Sequence, residues 1–138
     1  MCPRNAFHGR LAGCDMRVVH ESDGERRTLA TNVELADTSL QQMRGLMFRR
    51  SLPDDYALVF EKDAPGFPLS LVTGSRAKMD AHMLFVAMPI DVVWVDDGTV
   101  TQVKTLSPWT GSGIARADTM IEFPAGAADG VEAGDRVV

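Results

Sequence analysis

Met83-Leu84-Phe85-Val86-Ala87-Met88-Pro89-Ile90-Asp91-Val92-Val93-Trp94-Val95 is an apolar run interrupted only at Pro89 and Asp91. A surface strand alternates apolar and polar residues, and an amphipathic helix repeats every 3.6 residues; this run follows neither period. It reads as two buried strands, Met83 to Val86 and Ile90 to Asp96. Pro89 has no N–H to give to a ladder, so continuous pairing breaks there. Asp97-Gly98 then closes a tight hairpin into a further strand, Val100 to Leu106.

Outward from this run, most of the chain carries strand signals. Met16 to His20 is a short mixed strand, and Ser22-Asp23-Gly24-Glu25 turns it back on itself. Arg27 to Leu35 alternates, with Leu29, Thr31, Val33 and Leu35 on one face, as a half-buried strand does. Tyr56 to Glu61 and Thr119 to Phe123 are further strands, and Gly134-Asp135 turns into a closing strand, Arg136 to Val138. Asp63 to Lys78 is an irregular, exposed connection with a strand-like Leu69-Ser70-Leu71-Val72. Ser107 to Ala117 is a loop carrying Pro108, Trp109, Gly111 and Gly113, and Pro124-Ala125-Gly126 opens about one helical turn. One substantial helix is expected from Ser39 to Arg44. Thr38-Ser39-Leu40-Gln41 is a capping box, Gly45 suits the left-handed position after a helix end, and Leu40, Met43 and Met47 form an apolar side.

The connections at Gly24 and Gly98 are too short for parallel crossovers, so the pairing is antiparallel. The expectation is a compact, β-dominated α+β domain: a mostly antiparallel, barrel-like sheet with one main short helix. Residues 16–138 make a single domain, and residues 1–15 are an N-terminal extension, disordered or left by an upstream start site. The chain shows no internal repeat and no low-complexity tract.

At 138 residues with 45% hydrophobic content, the chain is long enough to bury a core without staples. A net charge of −5 offers no dense cationic face for phosphate backbones, which excludes a nucleic-acid partner. Arg outnumbers Lys 11 to 3 and Asp outnumbers Glu 13 to 6, a bias that fits a GC-rich genome and, with the acidic excess, a high-salt setting. No apolar run reaches the ~18 residues of a membrane span. Leu11-Ala12-Gly13-Cys14 matches a lipoprotein cleavage box, yet Arg4, Asn5, His8, Gly9 and Arg10 occupy the place of the ~7–15 apolar residues a signal peptide needs. The expected location is the cytoplasm. Cys2, His8, Cys14 and His20 recur every six residues, unlike the two close pairs of a zinc site, so no metal or cofactor is expected.

Four short devices stand in order: Thr38 with Arg44-Gly45-Leu46-Met47, then Pro89-Ile90-Asp91 with Val92 to Val95, then Pro124-Ala125-Gly126, then Gly134-Asp135. In that order and spacing the chain resembles the domain-of-unknown-function 192 family, small proteins without an assigned biochemical role. The resemblance covers about Leu35 to Val138 and implies a fold more than a function. Many members carry Phe-Trp-Met-Lys-Asn-Thr just before the Pro-Leu-Asp element. Ala81-His82-Met83-Leu84-Phe85-Val86 stands there in this chain, so the polar groups at those positions are gone and a variant subgroup is implied.

Asp91 is the most provocative candidate, because a carboxylate amid apolar residues needs partners. It is either a general acid/base or ligand anchor, or a structural acceptor; Arg44 is the first expected partner, backbone N–H groups of the Pro-Ala-Gly loop the second. His82 is a weak catalytic candidate beside Asp80 or Asp91, set against the plainer reading of a strand-end residue. Asp96-Asp97 resembles an acidic metal pair, but Gly98 makes it turn chemistry. Trp109, in a Gly/Pro loop, is either a stacking platform for sugars and aromatic ligands or a lid folded onto the barrel. The function expected is a binding module for a small ligand or a protein partner, with Arg44, Asp91 and Trp109 as contacts. The alternatives are an enzyme using Asp91 and His82, and an accessory protein acting through its surface.

Overall fold

Both hairpin turns expected from Asp-Gly steps are formed, and their geometry shows why those residues stand there. Asp23 and Gly24 have φ of 52° and 82°, and Asp97 and Gly98 have 51° and 77°. Two consecutive positive φ values make the tight turn whose twist matches that of paired strands. The computed structural model describes residues 17–35, 51–61, 72–73, 78–83 and 86–137, and these form eleven strands. In chain order they are β1 (Val18–Ser22), β2 (Glu25–Ala30), β3 (Asn32–Leu35), β4 (Tyr56–Glu61), β5 (Val72–Thr73), β6 (Lys78–His82), β7 (Ile90–Asp96), β8 (Thr99–Leu106), β9 (Ser112–Arg116), β10 (Thr119–Pro124) and β11 (Arg136–Val137).

Eight strands form one sheet in the order β2-β1-β11-β8-β7-β10-β4-β3. Its two edges, β2 and β3, are consecutive in the chain and separated only by Thr31. A segment that begins on one edge and finishes on the other curls the sheet into a nearly closed barrel. The bend is fixed by Asp55, whose carbonyl accepts from the N–H groups of Thr31 and Asn32, both at 3.0 Å. Pairing is antiparallel except between β3 and β4, which run parallel. A second sheet, β5-β6-β9, is antiparallel throughout.

Two apolar cores share one layer of strands. Ala57, Val59, Val93, Val95, Ile121 and Phe123 pack with Val18, Leu29, Ala30, Val100 and Val137; all belong to barrel strands, so this core fills the barrel. Tyr56, Leu58, Phe60, Val92, Trp94 and Met120 take the opposite faces of β4, β7 and β10 and pack with Met79, Ala81 and Met83. The small sheet covers that outer core. Burial on both faces explains the absence of alternation in these strands, and each fully buried large apolar side chain adds about 1.5–3 kcal/mol.

Several expectations are corrected. Met83 and Val86, the described ends of the expected strand, lie outside any strand: β6 ends at His82, and the Val86 N–H donates to the Met83 carbonyl at 2.9 Å. Both side chains are buried, so the apolar run reported burial rather than extension. Arg27 to Leu35 is not one strand of constant face. It bends at Thr31, with Leu29 and Ala30 both buried. Ser107 to Ala117 is a loop only as far as Gly111, because Ser112–Arg116 form β9. The segment after Pro124 is a series of turns, with Ala127, Asp129 and Val131 donating to Pro124, Gly126 and Ala128. Left-handed Gly126 and Gly130 (φ 92° and 85°) stop it becoming a helical turn. The expected helix from Ser39 to Arg44 and the extension of residues 1–15 lie outside the described residues, among which there is no helix.

Gly113 exists for Trp94. The indole is fully buried and donates its N–H to the Met79 carbonyl at 2.8 Å, which locks the ring. A Cβ on Gly113 would lie 2.8 Å from Cη2 of that ring. Gly113→Ala should therefore cost about 1–3 kcal/mol, read as a lower urea midpoint with an unchanged slope.

Candidate functional site

Asp91 sits near the start of β7 and, by strand alternation, shares the barrel-side face with Val93 and Val95. Its neighbours in register are Thr105 on β8 and Phe123 on β10. The side chain is 3% exposed. Thr105 Oγ1 donates to Oδ1 at 2.7 Å, and the N–H groups of Gly126 and Ala128 donate to Oδ2 at 2.9 and 3.1 Å. Gly126, at φ 92°, bends the backbone so that two N–H groups converge on one oxygen. The Pro89-Ile90-Asp91 and Pro124-Ala125-Gly126 stretches are thus one device, a carboxylate and the nest of donors that holds it. Three donors, one of them a hydroxyl, compensate the charge for its burial.

The other sequence candidates fall elsewhere. Arg44 lies outside the described residues. His82 ends β6, opposite Ser112 on β9, and its side chain is outside the described part. Its sheet covers the Trp94 face of β7, whereas Asp91 stands on the barrel face. Asp97 lies at the β7–β8 turn and its N–H donates to Asp118 Oδ2 at 3.0 Å, which is turn chemistry.

Trp109 projects from the turn between β8 and β9 and is 57% exposed. Its φ is 67°, a left-handed value rare for a bulky residue. The turn is braced on several sides. Trp109 donates its N–H to the Val86 carbonyl at 3.0 Å, Gly111 donates to Ser107 at 3.0 Å, and Met83 donates to Gly111 at 3.0 Å. These bonds bring the Trp109 turn to the end of the small sheet where β6 finishes at His82.

A further cluster escaped the sequence reading. His20 Nε2 lies 2.8 Å from Asp135 Oδ2, Ser22 donates its hydroxyl to Oδ1 at 3.2 Å, and the Glu132 N–H reaches Oδ2 at 3.0 Å. The His20 hydrogen bond, with that of the Glu132 N–H, holds the Asp135 carboxyl below its ordinary value of 3.8. An ionised carboxylate only accepts, so Nε2 carries the ring proton facing it. The six-residue spacing in the sequence groups His20 with Cys2, His8 and Cys14, which lie outside the described residues. The available signal was its alternation with Val18, which puts an imidazole on a buried face. Among the described residues no group of three or more His, Cys, Asp or Glu is placed to hold a metal ion.

Residues 18–138 match the DUF192 family, whose description reads "Uncharacterized ACR". A UPF0127 protein of Thermococcus kodakarensis is 33% identical over 93 residues, which is 67% of this chain and 51% of that protein. One of Thermococcus sibiricus is 32% identical over 111 residues, 76% of this chain and 64% of its own. The chain thus spans about half to two thirds of these relatives' length. A crystal structure of a protein of unknown function from Novosphingobium aromaticivorans superposes with a TM-score of 0.72 at 24% identity, covering 94% of this chain and 89% of that one. At that identity the likeness speaks for the fold alone.

Replacing Asp91 by Asn exchanges an acceptor for a group that also donates and strips the charge from three hydrogen bonds. It should lower stability by about 1–3 kcal/mol in chemical denaturation. Asp135 gives a pH signature. A carboxyl depressed in the folded state stabilises fully above its unfolded value of 3.8 and loses that contribution as the pH falls through its lower folded value. Melting temperature against pH should fall less steeply below 3.8 in Asp135→Asn than in the native chain.

Proposed function

The chain belongs to the DUF192 family, whose function is uncharacterised, and from that premise we propose a binding module whose contact surface is built around the Trp109 turn. One observation carries this reading: an exposed indole held at φ 67° on a turn fixed by backbone hydrogen bonds. A left-handed conformation costs a residue with a Cβ about 1–2 kcal/mol, and an indole left more than half in water gains the fold little burial. Both costs are consistent with a side chain presented for contact. Ile114, on β9 five residues further along the chain, is a second exposed large apolar residue at 48%. An exposed aromatic plane suits a stacked sugar, an aromatic ligand or a protein partner's apolar anchor.

Within this reading Asp91 is a structural anchor, supported by the three hydrogen bonds its oxygens accept. Arg44 stays a candidate contact on sequence grounds. An enzyme working through Asp91 and His82 draws no support from a carboxylate so engaged. The helix from Ser39 to Arg44 belongs to the proposal too. The parallel β3–β4 pair needs a crossover, usually helical and of a dozen or more residues, and residues 36–55 supply one with the Thr38 cap and Gly45 inside it. So do a single domain over residues 16–138 and a cytoplasmic setting, the latter on sequence grounds.

Trp109→Ala should leave stability within about 0.5 kcal/mol of the native chain, as surface substitutions do. In a melting-shift screen against metabolites and metals, compounds that raise the native melting point should leave the variant unmoved. Compounds that shift both proteins equally would take the site away from Trp109.

A further inference from the structure

A cleft of about 260 Å³ opens between the β1–β2 hairpin and the turn at Gly130. His20, Ser22, Asp23, Glu25, Arg26 and Arg27 line its hairpin side. None of these residues belongs to the Trp109 surface or to the Asp91 nest. We propose that the cleft binds a small zwitterion of free amino-acid size, its carboxylate on Arg27 and its ammonium between Asp23 and Glu25.

Size and charge select that ligand class. The volume lies just below the ~300–1,000 Å³ of pockets for drug-sized ligands, so the occupant is small. The lining carries both signs, so an occupant of one sign meets its own charge on part of the wall. The arginines are not equivalent. Arg26 Nε is paired with Glu21 Oε1 at 3.1 Å. Arg27 donates from Nη2 to the Asp129 carbonyl, a neutral acceptor, and has no carboxylate partner among the described residues. That hydrogen bond uses one of five guanidinium donors and anchors the group across the cleft, which leaves the fork able to take a carboxylate in bidentate fashion.

The opposite charge comes from the hairpin corner. Asp23 and Glu25 are exposed and have no cationic partner among the described residues. Asp23 is fixed at the corner by its positive φ, so its placement relative to Arg27 is set by the two-residue turn. The buried His20 ring, immobilised through Nε2 on Asp135, lines the same cleft. Ring and guanidinium are therefore positioned before any ligand arrives, which lowers the entropy cost of binding.

The full chain, titrated with L-alanine, L-glutamine and L-arginine while the His20 ring protons are followed by NMR, provides the test. At least one of the three should shift the His20 signals saturably in the millimolar range or below. Its N-acetyl derivative, without the ammonium, and its amide, without the carboxylate, should each bind about tenfold or more weakly, some 1.4 kcal/mol. Arg27→Gln keeps a donor for the Asp129 carbonyl but loses the charge, and should weaken binding similarly while its His20 signals in the free protein stay dispersed. Trp109→Ala should bind as the native chain does, so this test and that of the Trp109 surface fail separately. Equal binding of the acetylated form would make the site a plain anion site, and equal binding of the amide a plain cation site; either overturns the proposal. So would unchanged affinity in Arg27→Gln, or no saturable shift with any of the three.

Discussion

The layer formed by β4, β7 and β10 has no face left for water, and the rest of the molecule answers that constraint. Successive side chains of β7 enter opposite cores: Val93 and Val95 the barrel, Val92 and Trp94 the space under the small sheet. An apolar outer face obliges the chain to build β5, β6 and β9 as a cover. The backbone imposes a parallel demand, since a strand buried on both sides must pair along both edges. β7 lies between β8 and β10, β10 between β7 and β4, and β4 needs β3 on its far side. That need explains one parallel strand in a sheet otherwise antiparallel.

Charged groups within this apolar frame serve as fasteners. Asp91 ties the start of β7 to β8 through Thr105 and to the turn after β10 through two backbone N–H groups. Asp135 does the same at the other seam, joining β1 through His20 and Ser22. Hydrogen bonds to charged groups are stronger than neutral ones, which matters most where the ladder is short. β11 pairs with β1 at two residues and with β8 at one, so side-chain bonds reinforce what few ladder bonds hold.

Much of this was legible because the signals were local. Tyr56–Glu61 and Ile90–Asp96 were read with their observed ends, since apolar runs met turn residues on either side. The two Asp-Gly hairpins were legible because few other pairs accept positive φ twice. β9 was missed for a tertiary reason. Gly111 and Gly113 look like loop glycines, yet Gly113 makes room for an indole from another strand and Gly111 for the close approach of Ser107. The β3–β4 pair leaves no local mark across the intervening residues 36–55. At the candidate site, the need of Asp91 for partners was visible, and the Pro-Ala-Gly loop stood among those expected. The His20–Asp135 pair, 115 positions apart, was beyond any spacing argument. The exposure of Trp109 speaks against a lid folded onto the barrel, one of the two readings its loop left open.

The seam at β11 also sets an order of events on the ribosome. β1 is among the first strands to emerge and β8 follows in mid-chain, but the strand that lies between them, Arg136–Val137, is the last of the eleven to be made. The β1–β2 hairpin and the β7–β8 hairpin form early from neighbouring residues, then wait as two unjoined margins. The sheet therefore stays open until β11 has been made, and the barrel shuts only when that strand enters between β1 and β8. Truncation by a few residues at that seam would leave both margins available to other chains, where strand pairing becomes aggregation.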